Sequence, residues 1–372
     1  MRFLHTADWH IGKKLHGFDL VEEQQDAYEQ IKKIAVDEQV DAVVIAGDLY
    51  DRSVPNETSV NQLGNMLVDL NLKHHFPLLA ISGNHDSAPR LRTGSSWFKA
   101  TDFYLNTKLS QALTPVEFPD TQFFLLPYFE PFEARQYFKD DKIRTVQAAM
   151  VKIVAAMRAQ FDPAKKHVLV AHFFAAGSSH VDSETQVMVG GLNAIPVDDL
   201  ADFDYVALGH LHGKDALHAD RVRYSGSPLK FSVSEANQQK GVWIVDTDPF
   251  KLTFKPLKPL RDVRVLTGAF EDLTSPEFYK KQAVNDYLSI QLTDQRVIPN
   301  VMQALRDVYP NVIELERVGG PVATGDELAT IDPHLDPMEL MDQFFEQTTD
   351  APLTDQQQKW AQTALQLANK ED

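Results

Sequence analysis

Five times in the first 212 residues an apolar run of strand character stops at a cluster of Asp, His or Asn. Arg2–Thr6 runs into Asp8-Trp9-His10, and Asp41–Ala46 (DAVVIA) into GDLYD. Pro77–Ile81 runs into GNHD, His167–His172 ends in its own histidine, and Tyr205–Leu208 precedes Gly-His-Leu-His. A continuous, β-branched run such as DAVVIA is the mark of a strand buried on both faces. Helical spacing fills intervals between the runs. Glu22–Gln39 places Tyr28, Ile31, Ile34 and Ala35 on one face, and Ser59–Leu72 is helical again. The alternation predicts a layered α/β fold, in which ligands bind where loops leave the carboxyl ends of strands. Five such ends are expected to converge.

The remainder has other rhythms. Val222–Phe254 reads as hairpin strands that add antiparallel strands to the sheets, and LKPLRD at 257–262 as a linker. Residues 263–318 alternate short strands and helices as a small α+β module, and Gly319–Asp332 is loop-like. Two amphipathic segments follow. Pro337–Gln347 groups Leu340, Met341, Phe344 and Phe345; Thr354–Asn369 begins on a Thr cap and spaces Trp360, Ala364 and Leu367 helically. The expected division is 1–260, 263–318 and 335–372.

The polar clusters carry hard-metal chemistry. Asp8 and His10, two residues apart on an extended backbone, would face one way and grip one ion. Asp48 follows Gly47, where the chain can turn tightly and leave a carboxylate to bridge two cations. Asn84 offers an amide oxygen, and its neighbour His85 could face a substrate, with Asp86 beside it. His172, His210 and His212 complete the set. Each element alone also fits a turn, a helix cap or a structural hydrogen bond. In the order DxH, GDxxD, GNHD, H, GHxH, all at strand ends, they point to a dinuclear metal site.

Composition narrows the chemistry. There is no cysteine, which removes thiolate metal sites, disulfides and cysteine nucleophiles. The net charge of −17 weighs against nucleic acid, but it is unevenly spread. Pro321–Asp372 holds 11 acidic and 2 basic residues, a net of −9, and several remaining acids are the proposed ligands themselves. The opening MRFLHTADWH does not read as a secretion signal, and no stretch approaches the ~20 apolar residues of a membrane span. A cytoplasmic protein with no membrane segment is expected.

The ordered set resembles the calcineurin-like metallophosphoesterases. MRFLHTADWHIGK, GDLYDRSVP, SGNHDS and RYSGSP resemble the SbcD branch, the nuclease subunits of bacterial SbcCD complexes. The likeness covers the catalytic region and, more loosely, the rest. It implies a four-layer α-β-β-α sandwich, a capping module and a C-terminal partner-binding tail. It also implies two divalent ions, usually manganese: Asp8, His10, Asp48 and His212 around one, Asp48, Asn84, His172 and His210 around the other. His85 takes the catalytic role, with Asp86 orienting it. One departure stands out: archaeal and eukaryotic relatives carry a histidine three residues after the bridging Asp, where this chain has Asp51.

The implied activity is cleavage of DNA ends and hairpins in repair, recombination and replication. It comprises an ATP-dependent 3′→5′ double-strand exonuclease and a single-strand endonuclease. The chain has no G-x-x-x-x-G-K-[ST] loop, so ATP would be bound by a partner, an SbcC-like ABC ATPase with a long coiled coil. A homodimer within a heterotetramer is implied as well. Lys13, Lys14, Arg52, Arg90 and Arg92 flank the ligand motifs and are candidate phosphate contacts. Protein phosphatases and small-molecule phosphodiesterases share parts of the motif set. In the phosphatases, however, the third motif usually ends in Glu where this chain has Asp86.

Overall fold

The computed structural model describes residues 1–179, 181–184, 194–294, 298–318, 336–349 and 352–368. Eleven strands build two stacked sheets: β1 (Arg2–Thr6), β2 (Ala42–Ile45), β3 (Leu78–Ile81), β4 (Phe103–Asn106), β5 (Val116–Glu117), β6 (Thr121–Leu126), β7 (Lys166–His172), β8 (Tyr205–Gly209), β9 (Val222–Tyr224), β10 (Gly241–Thr247) and β11 (Phe250–Pro256). The first sheet has the order β11-β10-β1-β2-β3-β4 and the second β9-β8-β7-β6-β5. β1 to β4 are mutually parallel, as are β6 to β9. Val222–Tyr224 thus departs from the hairpin reading: it pairs parallel to β8, and only β10 and β11 form the antiparallel hairpin.

Alternation along each central strand sorts its side chains into layers. Phe3, Val44, Leu79, Phe123, Leu125, Val168, Val170, Tyr205 and Ala207 meet between the sheets. Their neighbours Leu4, Val43, Ile45 and Leu78 face outward against helices α1 (Val21–Asp37) and α2 (Glu57–Val68). On the opposite side Phe124, Leu169, Val206 and Leu208 face α3 (Val146–Arg158). Strands clothed on both faces need apolar residues at nearly every position, which is why they read as unbroken runs. The result is the α-β-β-α sandwich. At its centre Phe3 stands edge-on to Phe123, with ring centroids 5.2 Å apart.

A third sheet follows: β12 (Val263–Gly268), β13 (Tyr287–Leu292) and β14 (Val312–Arg317), all parallel, with β13 central. Short helices Phe270–Leu273 and Pro276–Tyr279 bridge the first pair of strands, and Val301–Arg306 the second. Helices here therefore act as crossovers between parallel strands rather than standing apart from the sheet. Central placement also buries β13 almost throughout. The module is tied to the sandwich by polar contacts. Arg261 pairs with Glu22 and Glu23, Tyr287 Oη donates to Glu23 at 2.9 Å, and Lys230 meets Asp262 at 2.8 Å.

The loop expected at Gly319–Asp332 lies outside the described residues. Beyond it α4 (Pro337–Thr349) and α5 (Asp355–Ala368) form. Thr354 caps α5: its Oγ1 accepts from Gln357 N at 3.4 Å, and Gln357 Oε1 accepts from Thr354 N at 2.9 Å. Phe344 is 58% and Trp360 64% exposed. Among the described residues no helix is long and apolar enough to cross a membrane.

Candidate metal centre

The five polar clusters leave the carboxyl ends of β1, β2, β3, β7 and β8, and all seven proposed ligands gather there. One oxygen of Asp48 stands between two histidines: Oδ2 is 3.6 Å from His10 Nε2 and 3.3 Å from His172 Nε2. On one side His10 Nε2 lies 3.1 Å from His212 Nε2, and ligand atoms of Asp8, His10 and Asp48 lie within 4.8 Å of one another. On the other side Asn84 Oδ1 is 2.9 Å from His172 Nε2 and 3.0 Å from His210 Nδ1. Two donor groups therefore share Asp48.

The backbone that arranges them is not the extended one read from sequence. Asp8 and His10 both have positive φ, 54° and 45°, and so do Asp48 (48°) and His210 (97°). Asp8 and His10 reach the site through left-handed turns, not through strand alternation, and so does His210. Each such residue costs about 1–3 kcal/mol and persists only where its surroundings fix it. Here a ladder of main-chain bonds does so: Asp8 N donates to Gly47 O, His10 N to Asp48 O and Ile11 N to Leu49 O, at 3.0–3.1 Å. Two glycines let the loops close. Gly47 takes φ +93°, and a Cβ there would collide with His172 Nδ1; a Cβ on Gly83 would collide with the Asp48 carboxylate.

Burial sets the protonation states. His10 and His212 are pushed below the usual imidazole range, and His210 down to about 3, chiefly by loss of water. These rings are neutral and keep lone pairs for a cation. Burial also raises the Asp8 carboxyl well above its ordinary value. Burial pushes Asp48 the same way, but His172 and His10 outweigh it and hold that carboxyl low. The converse raises His172 to about 9: Asp48 overcomes the cost of burying its charge.

Among the described residues, two buried atoms of this site, Asp8 Oδ2 and His10 Nδ1, have no hydrogen-bond partner. A polar atom left so costs about 1–3 kcal/mol. Oxygen and imidazole donors with unsatisfied positions fit a pair of hard or borderline divalent cations.

His85 sits beside this cluster, its ring perpendicular to that of His10 at 4.8 Å between centroids. Its Nδ1 is 2.7 Å from Asp51 O and its main-chain N donates to Asp48 Oδ1 at 2.9 Å. Asp86 departs from the expected orienting role. Its carboxylate accepts from the main-chain N–H groups of Leu49, Tyr50 and Gly83 at 3.0–3.1 Å, pinning the loop after β3 to the loop after β2. The Asp51 carbonyl orients His85 instead, a task invisible in sequence because any residue type supplies it. The Asp51 side chain is part of the site too: with His10 and His85 it forms a second acidic-imidazole group.

Of the basic residues, Lys13 pairs with Asp51 at 3.1 Å and stands over the Phe231 ring, which contacts His10 and His212. Arg52 reaches Asp51 at 3.5 Å from an exposed position. Lys14 is turned to Asp19 in a short hairpin. Arg90 is exposed on the small helix Ala88–Leu91 and lines an apolar groove with Leu49, Tyr50 and Leu63; Arg92 follows that helix. Of these five, then, Lys13 and Arg52 approach the cluster.

Residues 1–214 match the sequence model of the calcineurin-like phosphoesterases, and residues 259–349 match a model described as the type 5 capsule protein repressor C-terminal domain. The SbcD subunit of the SbcCD nuclease from Staphylococcus epidermidis is 38% identical over 321 residues, 86% of this chain and 86% of that protein. Among solved structures, a Thermus thermophilus protein overlaps 69% of this chain and 99% of its own at 14% identity and TM-score 0.41. A dimetal phosphatase from Danio rerio overlaps 69% and 95% at 13% identity and TM-score 0.40. Those overlaps are too loose to bear on chemistry. By its sequence match over the sandwich and its identity along most of its length, the chain belongs to the calcineurin-like phosphoesterase family, in the branch of the SbcD nuclease subunits.

Proposed function

We propose that this chain is a DNA nuclease subunit that hydrolyses phosphodiester bonds with two divalent cations, manganese in the first instance. The observation that carries the reading is the Asp48 carboxylate shared between two clusters of imidazole and oxygen donors. Asp8, His10, Asp48 and His212 would hold one ion; Asp48, Asn84, His172 and His210 the other. When bound, such a pair supplies Lewis acidity and neutralises charge at the phosphate.

The chain's own residues do the rest. Because a carbonyl oxygen only accepts, the contact with Asp51 O places a proton on His85 Nδ1. In the doubly protonated ring Nε2 would then carry the proton that passes to the departing 3′ oxygen as its bond to phosphorus breaks, leaving the neutral Nδ1–H imidazole. Lys13 and Arg52, which approach the cluster, would meet the flanking phosphates, with Lys14, Arg90 and Arg92 as further candidate contacts.

The division into a nuclease domain (1–260), a capping module (263–318) and a partner-binding tail (335–372) accompanies this reading. Exposed Phe344 and Trp360 on α4 and α5 suit docking in an apolar groove of an SbcC-like ATPase, which would bring ATP dependence. A homodimer within a heterotetramer, and 3′→5′ polarity, complete the proposal.

The test is incubation of the purified chain, with and without its ATPase partner, with end-labelled hairpin DNA and Mn²⁺. p-Nitrophenyl phosphate and its bis-ester are assayed in parallel. Cleavage of DNA is expected. Turnover of the monoester with DNA left intact would instead favour a phosphatase.

A further inference from the structure

His212 is held at three points by residues that lie outside the ligand motifs. Its main-chain N donates to Glu184 Oε1 at 2.5 Å and its carbonyl accepts from Lys240 Nζ at 2.8 Å. Its Nδ1 lies 2.7 Å from Ser183 Oγ. Ser183 in turn contacts Glu235 Oε1 through its hydroxyl, and Lys240 Nζ donates to Glu235 Oε2 at 2.5 Å. Glu235 and Lys240 are buried, and Glu235 also accepts from Phe231 N at 3.2 Å.

The direction of this chain of bonds is fixed by chemistry. Glu235 carries the counter-charge of a buried ammonium and so is a carboxylate, which can only accept. The Ser183 hydroxyl must therefore give its proton to Glu235, and its oxygen must accept from His212. That demands a proton on His212 Nδ1 and leaves the lone pair on Nε2, the nitrogen that faces His10 across 3.1 Å.

We infer that Ser183 and Glu235, braced by Lys240, are positioning residues that lock His212 in the Nδ1–H tautomer and aim its Nε2 at the metal centre. The inference rests on the reading of His212 as a metal ligand. Outer partners of this kind fix the tautomer and ring orientation of ligating histidines, and their loss typically weakens metal binding about 10–100-fold. They come from two separate stretches, Ser183 from the connection between β7 and β8 and Glu235 from the turn before β10. His212 is thus held by side chains from two stretches that are distant in sequence.

The test has a readout that needs no metal. In the full-length, metal-free protein, ¹⁵N NMR of the imidazoles should give the Nδ1–H form for His212. Ser183→Ala should lose that preference, and Ser183→Thr, which keeps the hydroxyl, should restore it. Glu235→Gln can either accept from or donate to Ser183, and should give a mixture of tautomers. In Mn²⁺ titrations of the same proteins, Ser183→Ala should weaken one of two sites about 10–100-fold and leave the other unchanged. The inference is overturned if Ser183→Ala and Glu235→Gln both retain pure Nδ1–H and bind Mn²⁺ as wild type does. Failure of the wild type itself to bind Mn²⁺ would overturn the metal-centre reading instead, while the tautomer measurement would still decide whether Ser183 orients His212.

Discussion

Asp48 and His85 stand within hydrogen-bond reach of one another through the main chain, yet the structure gives them different work. Asp48 offers one oxygen to two imidazoles and its other to the N–H of His85. Removing its side chain takes an acceptor from both donor clusters and from His85 together. Asp48→Ala should therefore lose both Mn²⁺ binding and DNA cleavage. His85 meets Asp48 through its main-chain N–H and turns its ring Nδ1 to the Asp51 carbonyl. His85→Ala should keep two equivalents of Mn²⁺ by calorimetry while cleavage falls by a factor of about 10²–10⁴, the usual contribution of a positioned acid or base. Normal cleavage by His85→Ala would transfer the proton to some other group.

At the scale of elements, β1 and β8 belong to different sheets and are joined by a buried histidine. His5 Nδ1 is 3.0 Å from Tyr205 Oη and Nε2 is 3.2 Å from Leu208 O. The carbonyl requires Nε2–H, so Nδ1 accepts from the tyrosine and the ring is neutral. Burial lowers its pKa to about 3, against about 6.5 in the unfolded chain. Its contribution is thus complete above pH 6.5. As the pH falls toward 3 only the unfolded state takes up the proton, and stability drops by about 1.4 kcal/mol per pH unit. His5→Gln can repeat both hydrogen bonds without titrating. Urea unfolding between about pH 6.5 and 4 should show a shallower loss for this variant; equal slopes would mean that His5 is not the group responsible.

The same elements show what sequence could and could not give. β2 and β3 announce themselves because strands buried on both faces must be apolar throughout, and the glycines before Asp48 and Asn84 mark the tight turns that follow. β6 is just as buried, but TQFFLL runs straight on into an aromatic stretch, PYF, with no polar ligand to close it. Helix α3 has its apolar stripe, yet it carries no chemistry that draws the eye. The ligand set was legible because donor types recur at strand ends. The left-handed backbone of Asp8, His10 and His210 was not, since positive φ at a non-glycine residue is imposed by the surrounding loops. Nor was the role of Asp86, whose partners are main-chain N–H groups brought in by tertiary folding. Ser183, Glu184, Glu235 and Lys240 escaped for a similar reason: they sit far from the motifs in sequence and meet His212 only in the folded chain.

For the whole molecule, the distribution of charge and apolar surface separates two tasks. The sandwich buries most of the proposed metal ligands at the carboxyl ends of its strands, whereas the acidic terminal stretch carries exposed aromatic residues on α4 and α5. Deletion of residues 335–372 should abolish capture of the ATPase partner in a pull-down and leave Mn²⁺ binding by the sandwich unchanged. Partner binding that survives the deletion would move the docking site elsewhere. The central claim concerns the seven side chains, and anomalous diffraction from crystals of the chain soaked in Mn²⁺ tests it most directly. Two peaks should appear, one on each side of the Asp48 carboxylate, the first against Asp8, His10 and His212 and the second against Asn84, His172 and His210. An empty map at Asp48, with manganese absent or bound only elsewhere, would contradict the account.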